Sequence, residues 1–60
     1  MSNLESRKIA FQEFNANVQN LIVAVSEENY DLQIAEMIKA MEALERAKLA
    51  TLKIYGGISN

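Results

Sequence analysis

The chain has 60 residues, a formal net charge of −2, and neither cysteine nor histidine. A chain of this length forms one domain at most, and a domain this small hides only ~60% of the surface that its unfolded form exposes. Such chains usually depend on disulfides, a bound metal or association with another chain. Without cysteine there is no disulfide, and without histidine or cysteine zinc lacks its usual ligands, so we expect association.

Nothing in the sequence predicts export or membrane insertion. Residues 1–7 lack the basic start and following apolar run of a signal peptide. The longest uninterrupted apolar stretch is residues 21–25, far shorter than the ~20 residues that span a bilayer. We therefore expect a cytoplasmic protein that does not bind membranes.

Helical periodicity dominates the first half of the chain. Residues 2–5 have the pattern Ser-x-x-Glu, a capping box that starts a helix. Apolar side chains then recur every three or four residues, which lines one face of a helix. These residues are Leu4, Phe11, Phe14, Val18, Leu21 and Val25, with Ile22 at the edge of the stripe. The pattern predicts a first helix over about residues 3–26.

The polar residues 27–31 predict a turn, because the apolar pattern changes phase there. A second large apolar stripe follows the turn, and its centre is rotated by roughly 150° from the first. It contains Ile34, Met37, Ile38, Met41, Leu44, Leu52 and Tyr55. A hairpin capped at Asn29 or Asp31 would let the two stripes face each other. We predict a second helix over about residues 32–55, or from residue 30 if Asn29 is the cap, ended by Gly56-Gly57 with Ile58 folding back on it.

The predicted fold is all-α: one domain over residues 1–60, forming an antiparallel hairpin of two helices. A thin stripe of small residues lies on the second helix, roughly opposite its large stripe. It consists of Ala40, Ala43, Ala47, Ala50 and Ile54. These alanines are either good helix formers on an exposed surface or a docking ridge for a second copy or a partner. A docking ridge would allow two hairpins to dimerise into a four-helix bundle.

Three charged residues interrupt the large apolar stripes. Arg7 lies in the first stripe, and Glu45 and Lys48 lie in the second. In an antiparallel hairpin Arg7 is opposite residues 48–51. The three residues form either an ion-pair cluster at the open end of the hairpin or a polar element that fixes register or partner choice.

The side chains that catalysis needs are missing or scattered. The chain cannot form a triad based on histidine or cysteine, and it has no Glu-x-x-His pattern for a di-iron site. Its glycines follow a helix, whereas a phosphate-binding loop precedes one. We expect no enzymatic activity, no cofactor and no metal.

A basic edge on the second helix suggests an alternative. Lys39, Arg46 and Lys53 repeat every seven residues, but Glu42 lies within this edge. The few aromatic residues offer no evident platform for stacking bases. In layout, two helices joined by a short turn resemble the Rop-type regulators of plasmid copy number, which are dimers of hairpins that bind paired RNA loops. The resemblance is one of architecture alone, and no motif matches residue by residue.

Three functions therefore stand as hypotheses. The preferred one is a non-enzymatic protein-interaction module, a homodimer that acts as an adaptor, regulator or inhibitor of another protein. The second is a Rop-like dimer that binds nucleic acid through the basic edge. The third is a small subunit or co-chaperone of an obligate hetero-complex.

Overall fold

A computed structural model describes residues 2–56, and within them the chain forms two α-helices. Helix α1 spans Asn3–Ser26 and helix α2 spans Tyr30–Ile54. They pack against each other in antiparallel directions, as an elongated hairpin of 44 × 18 × 13 Å. The predicted all-α hairpin is confirmed.

Each helix begins at a side chain that caps it. Ser2 Oγ accepts a hydrogen bond of 3.1 Å from the backbone N–H of Glu5. Asn29 Oδ1 accepts one of 3.1 Å from a backbone N–H in the first turn of α2. Asn29 rather than Asp31 is the cap, so α2 starts at Tyr30, the earlier of the two predicted starts. Asp31 lies in the first turn instead, where its negative charge interacts favourably with the helix dipole.

Helix α1 ends in a Schellman motif. The N–H of Asn29 donates to the carbonyl of Ala24 at 2.9 Å, and the N–H of Glu28 donates to that of Val25 at 3.1 Å. Glu28 has a φ of 54°, in the left-handed region that glycine usually fills. A side chain there costs about 1 kcal/mol. The turn therefore forms through these backbone bonds in spite of the residue at its centre.

The predicted stop of α2 is only partly described. The helix ends at Ile54, and the N–H of Tyr55 donates to the carbonyl of Thr51. Gly56 does not adopt a positive φ. The other residues of the predicted stop, Gly57 and Ile58, lie outside the described residues.

The two helices meet along a seam of small residues. The buried apolar residues of the described chain are all alanines, namely Ala10, Ala24, Ala40, Ala43, Ala47 and Ala50. Half-buried Phe14 and Leu21 of α1 lie between its alanines at helical spacing and cover the seam. We call this contact the alanine seam.

The prediction that the two large stripes face each other is wrong. On α2 that stripe lies on the outside, where Ile34 is 57% exposed, Ile38 51% and Met41 69%. Small side chains on α2 let the helix axes come close, so that the larger residues of α1 fill the space between them. Periodicity could not distinguish the two stripes of α2, because both follow steps of three and four residues.

The small stripe is consequently not an open docking ridge. Ala43 and Ala47 have no exposed surface, and Ala40 and Ala50 are 8% and 6% exposed. Ile54 is half-buried at the end of the same stripe. Because α1 already covers these residues, a second copy or a partner must dock elsewhere on the hairpin.

Candidate interaction surface

The hairpin has two broad faces, one on each side of the alanine seam. Side chains advance by ~100° per residue, so residues rotated in the same sense from the seam on two antiparallel helices lie on one face. Arg7 and Thr51 lie on the first face, where Arg7 Nε donates to Thr51 Oγ1 at 2.9 Å. Glu13 and Arg46 lie on the second face, where they form an ion pair.

The first face, which we call the apolar face, is formed by large hydrophobic side chains of both helices. Nine of them are between 40% and 69% exposed: Leu4, Phe11, Ile22, Val25, Ile34, Met37, Ile38, Met41 and Leu44. Tyr30 and Tyr55 lie at its two ends, 67% and 62% exposed. Half-buried Val18 and Leu52 lie within it. The apolar face thus runs the length of the hairpin.

The area of the apolar face is large for a chain of this size. A large apolar residue has ~200 Å² of accessible surface, so nine that are on average half exposed present about 900 Å². The largest apolar patch on a typical monomer is ~300–600 Å². Each partner in a stable complex contributes ~800 Å². By area, the apolar face corresponds to one complete side of a protein–protein interface.

The three predicted charges lie on this face but do not form one cluster. The Arg7 guanidinium lies 5.1 Å from the centre of the Phe11 ring, a cation–π contact in which its stem covers apolar surface. Glu45 and Lys48 pair with each other at 3.8 Å, and both are more than half exposed. Together with Met41 they border a shallow depression of about 270 Å³. Within residues 2–56, Arg7 pairs with no carboxylate.

The second face, which we call the charged face, carries the predicted basic edge. Lys39 Nζ lies 3.5 Å from Glu36 Oε2. Arg46 Nη2 pairs across the hairpin with Glu13 Oε1. Two of the three basic residues are therefore already paired with carboxylates.

An open groove on the charged face mixes both signs of charge. Glu13 and Glu42 line it together with Lys39 and Arg46. Lys53 is exposed and forms no ion pair in the described part of the chain. Nucleic-acid binding depends on a net positive surface that replaces the counterions of phosphates. The alternation of charge here provides little attraction for a phosphate backbone.

Sequence reasoning misses a buried polar pair in the alanine seam. Glu36 is only 4% exposed, and Asn17 Nδ2 donates to its Oε1 at 3.1 Å. The hydrogen bond from Asn17 holds the pKa of Glu36 below its ordinary value. Burial acts to raise this pKa, and the positive charge of Lys39 acts to lower it further. The available signal is spacing, because Glu36 continues the small stripe one step of four residues before Ala40.

Within residues 2–56 there is no group of three or more acidic, histidine or cysteine residues that could hold a metal ion. Neither helix in this range is long and apolar enough to cross a membrane. Comparisons with models of protein families, with curated proteins and with solved structures find no match to the chain.

Proposed function

We propose that the chain is a non-enzymatic protein-interaction module that works as a homodimer, with the apolar face as its interface and four helices in one bundle. The observation that carries this proposal is the row of nine large apolar side chains left exposed on one face of the hairpin. Such a patch on a small chain is typical of an interface.

The composition of the core supports the same proposal. The only buried apolar side chains of the described residues are six alanines, which remove little hydrophobic surface from water. Most of the larger apolar side chains, which would contribute most to stability, remain exposed. Docking a second copy on the apolar face would transfer them into a shared core and supply the stabilisation that one hairpin lacks.

The charged face supports a role for the dimer beyond its own assembly. It lies on the opposite side of the alanine seam, so both copies would keep it exposed. Two such surfaces with fixed patterns of charge could engage another protein, since charge complementarity favours one partner over others. The dimer would then act as an adaptor, regulator or inhibitor.

The substitution Met41→Glu tests the interface. Met41 is 69% exposed in the hairpin, so glutamate is tolerated there, but in the dimer it would bury a charge. We expect the dimer dissociation constant to rise at least ~30-fold, the equivalent of about 2 kcal/mol. Sedimentation equilibrium measures it directly.

A matched control is Leu49→Glu. Leu49 is 48% exposed and is rotated by about 80° from Met41 around α2, toward the charged face, so the same chemical change should weaken dimerisation far less. A wild-type chain that stayed monomeric and fully helical at tens of micromolar would contradict the proposal. If the purified chain aggregated and co-expression with a host protein kept it in solution, the third hypothesis, a subunit of an obligate hetero-complex, would be favoured instead.

The nucleic-acid alternative has less support, because Glu13, Glu36 and Glu42 accompany the basic edge. A direct check is binding to structured RNA over a range of salt concentrations. Affinity that falls steeply with salt and is lost when Lys39, Arg46 and Lys53 are replaced together by alanine would favour this alternative.

A further inference from the structure

Cross-helix contacts show which residues of α1 and α2 lie at the same level of the hairpin. Arg7 bonds to Thr51 near the open end, and Gln33 Nε2 donates to the carbonyl of Ala24 near the turn. The two residue numbers of these pairs total 58 and 57; those of Glu13–Arg46 total 59, and those of Asn17–Glu36 total 53. Since both helices rise by ~1.5 Å per residue, residues whose numbers total about 57, the mean of the four pairs, lie near the same level along the hairpin.

The apolar stripes of both helices are centred on one level. Four apolar-face residues of α1, Leu4, Phe11, Val18 and Val25, are spaced by seven residues and centred between residues 14 and 15, and Ile22 moves the mean of all five to residue 16. Because the numbers of two residues at one level total about 57, residues 14–16 of α1 lie beside residues 41–43 of α2. The apolar-face residues of α2, from Tyr30 at one end to Tyr55 at the other, are centred between residues 41 and 43.

A surface that is symmetric about one level can cover an inverted copy of itself from end to end. We infer that the occupant of the apolar face is a second copy, related by a twofold axis that crosses the helices at this level. Each helix then packs antiparallel against its own counterpart. This inference rests on the proposed function and specifies the arrangement of the dimer.

The pairing brings apolar residues together along both helices. Met41 of one copy meets Leu44 of the second copy, and Leu4 meets Val25 of the second copy. Phe11 likewise meets Val18 of the second copy. The whole face of about 900 Å² is covered, close to the ~800 Å² that each partner contributes to a stable interface.

Charge favours this arrangement over one with the twofold axis parallel to the helices. Arg7 and Lys48 lie at nearly the same level on the apolar face. A parallel axis would bring the Arg7 and Lys48 side chains of both copies to one level, four positive charges against the two carboxylates of Glu45 in a closing interface. The crossing axis puts them at opposite ends of the bundle, where Lys48 lies over Met37 of the second copy and its stem covers apolar surface.

Introduced cysteines test the arrangement, since the chain has none of its own. In the double variant Leu4→Cys/Val25→Cys, each cysteine would lie beside the other type in the second copy. Mild oxidation should give a discrete cross-linked dimer on a non-reducing gel. The single variants are the controls, because equal positions of the two copies would be about 30 Å apart and a disulfide needs Cα atoms within ~7 Å.

A second pair examines α2 independently. Ile34→Cys/Leu52→Cys should also cross-link to a dimer, at least tenfold more than either single variant. Cross-linking of the single variants to the same extent as the doubles would overturn the inference. The inference would also be overturned if the double variants did not cross-link although the wild-type chain sediments as a dimer. In that case the proposed function would stand. A monomeric wild type would overturn both.

Discussion

At the scale of single residues, Glu36 is the one charged residue that is buried in the described part of the chain. It interrupts a seam that is otherwise alanine, and its Oε1 accepts from Asn17 of the facing helix. Like Asn17, Asn20 of the facing helix lowers the pKa of this carboxylate by hydrogen bonding, so Glu36 has its cross-helix partners when the helices are in this register. Alanines repeated along the seam do not distinguish one register of the helices from another. The Asn17–Glu36 pair therefore selects the register, near the turn.

This pair predicts a specific loss of stability in acid. The pKa of Glu36 is lowered in the folded hairpin, because Asn17 and Lys39 stabilise its ionised form. The contribution of Glu36 is therefore present above its unfolded pKa, near 4.5, and is lost as the pH falls through the lower folded value. We expect the melting temperature, followed by circular dichroism, to fall below about pH 4.5 more steeply for wild type than for Glu36→Gln.

The control for this experiment is Glu42→Gln, which removes an exposed carboxylate from the same helix. Glu42 forms no ion pair within residues 2–56, so this variant should retain the wild-type dependence on pH. If Glu36→Gln and wild type melted in parallel from pH 7 to pH 3, the carboxylate of Glu36 would not act in the way that its contacts indicate.

At the scale of elements, the two helices and their caps could be predicted from sequence, but the faces by which they pack could not. Capping residues and apolar spacing act within one helix, so Ser2 and Asn29 are readable without the fold. The face by which α2 packs depends on how closely the axes of the two helices can approach. That distance depends on side chains of both helices and cannot be read from one stripe. The large stripe is the stronger hydrophobic signal, yet the structure buries the alanines because they allow the closer approach.

The alanine seam makes a prediction about side-chain volume. Ala47 has no exposed surface, so Ala47→Leu would force the helices apart and cost about 1–3 kcal/mol. Ala16→Leu makes the same change at an exposed position of α1 and should be nearly neutral. Urea unfolding at one fixed protein concentration measures both. Equal stability of the two variants would mean that the alanines line an open surface and that the seam lies elsewhere.

At the scale of the whole molecule, the hairpin is too thin to hide its own hydrophobic residues. Its accessible surface is 4484 Å², whereas a compact globule of 6.7 kDa would expose ~3,900 Å². The shortage of core follows from length and composition alone, and so does the expectation of association. The location of the missing contact could not be predicted, because it required knowing which stripe of α2 the hairpin had already used.

If two hairpins share one core, folding and association are a single equilibrium, and thermal stability must depend on concentration. A hundredfold rise in protein concentration stabilises a dimer by about 2.7 kcal/mol. For ~120 residues with an unfolding entropy of ~2.1 cal/mol/K each, that raises the melting temperature by about 10 °C. Met41→Glu should melt at a lower temperature than wild type at each concentration, whereas Leu49→Glu should behave much more like wild type. A wild-type transition that is independent of concentration would show that the apolar face contributes nothing to folding through a second copy.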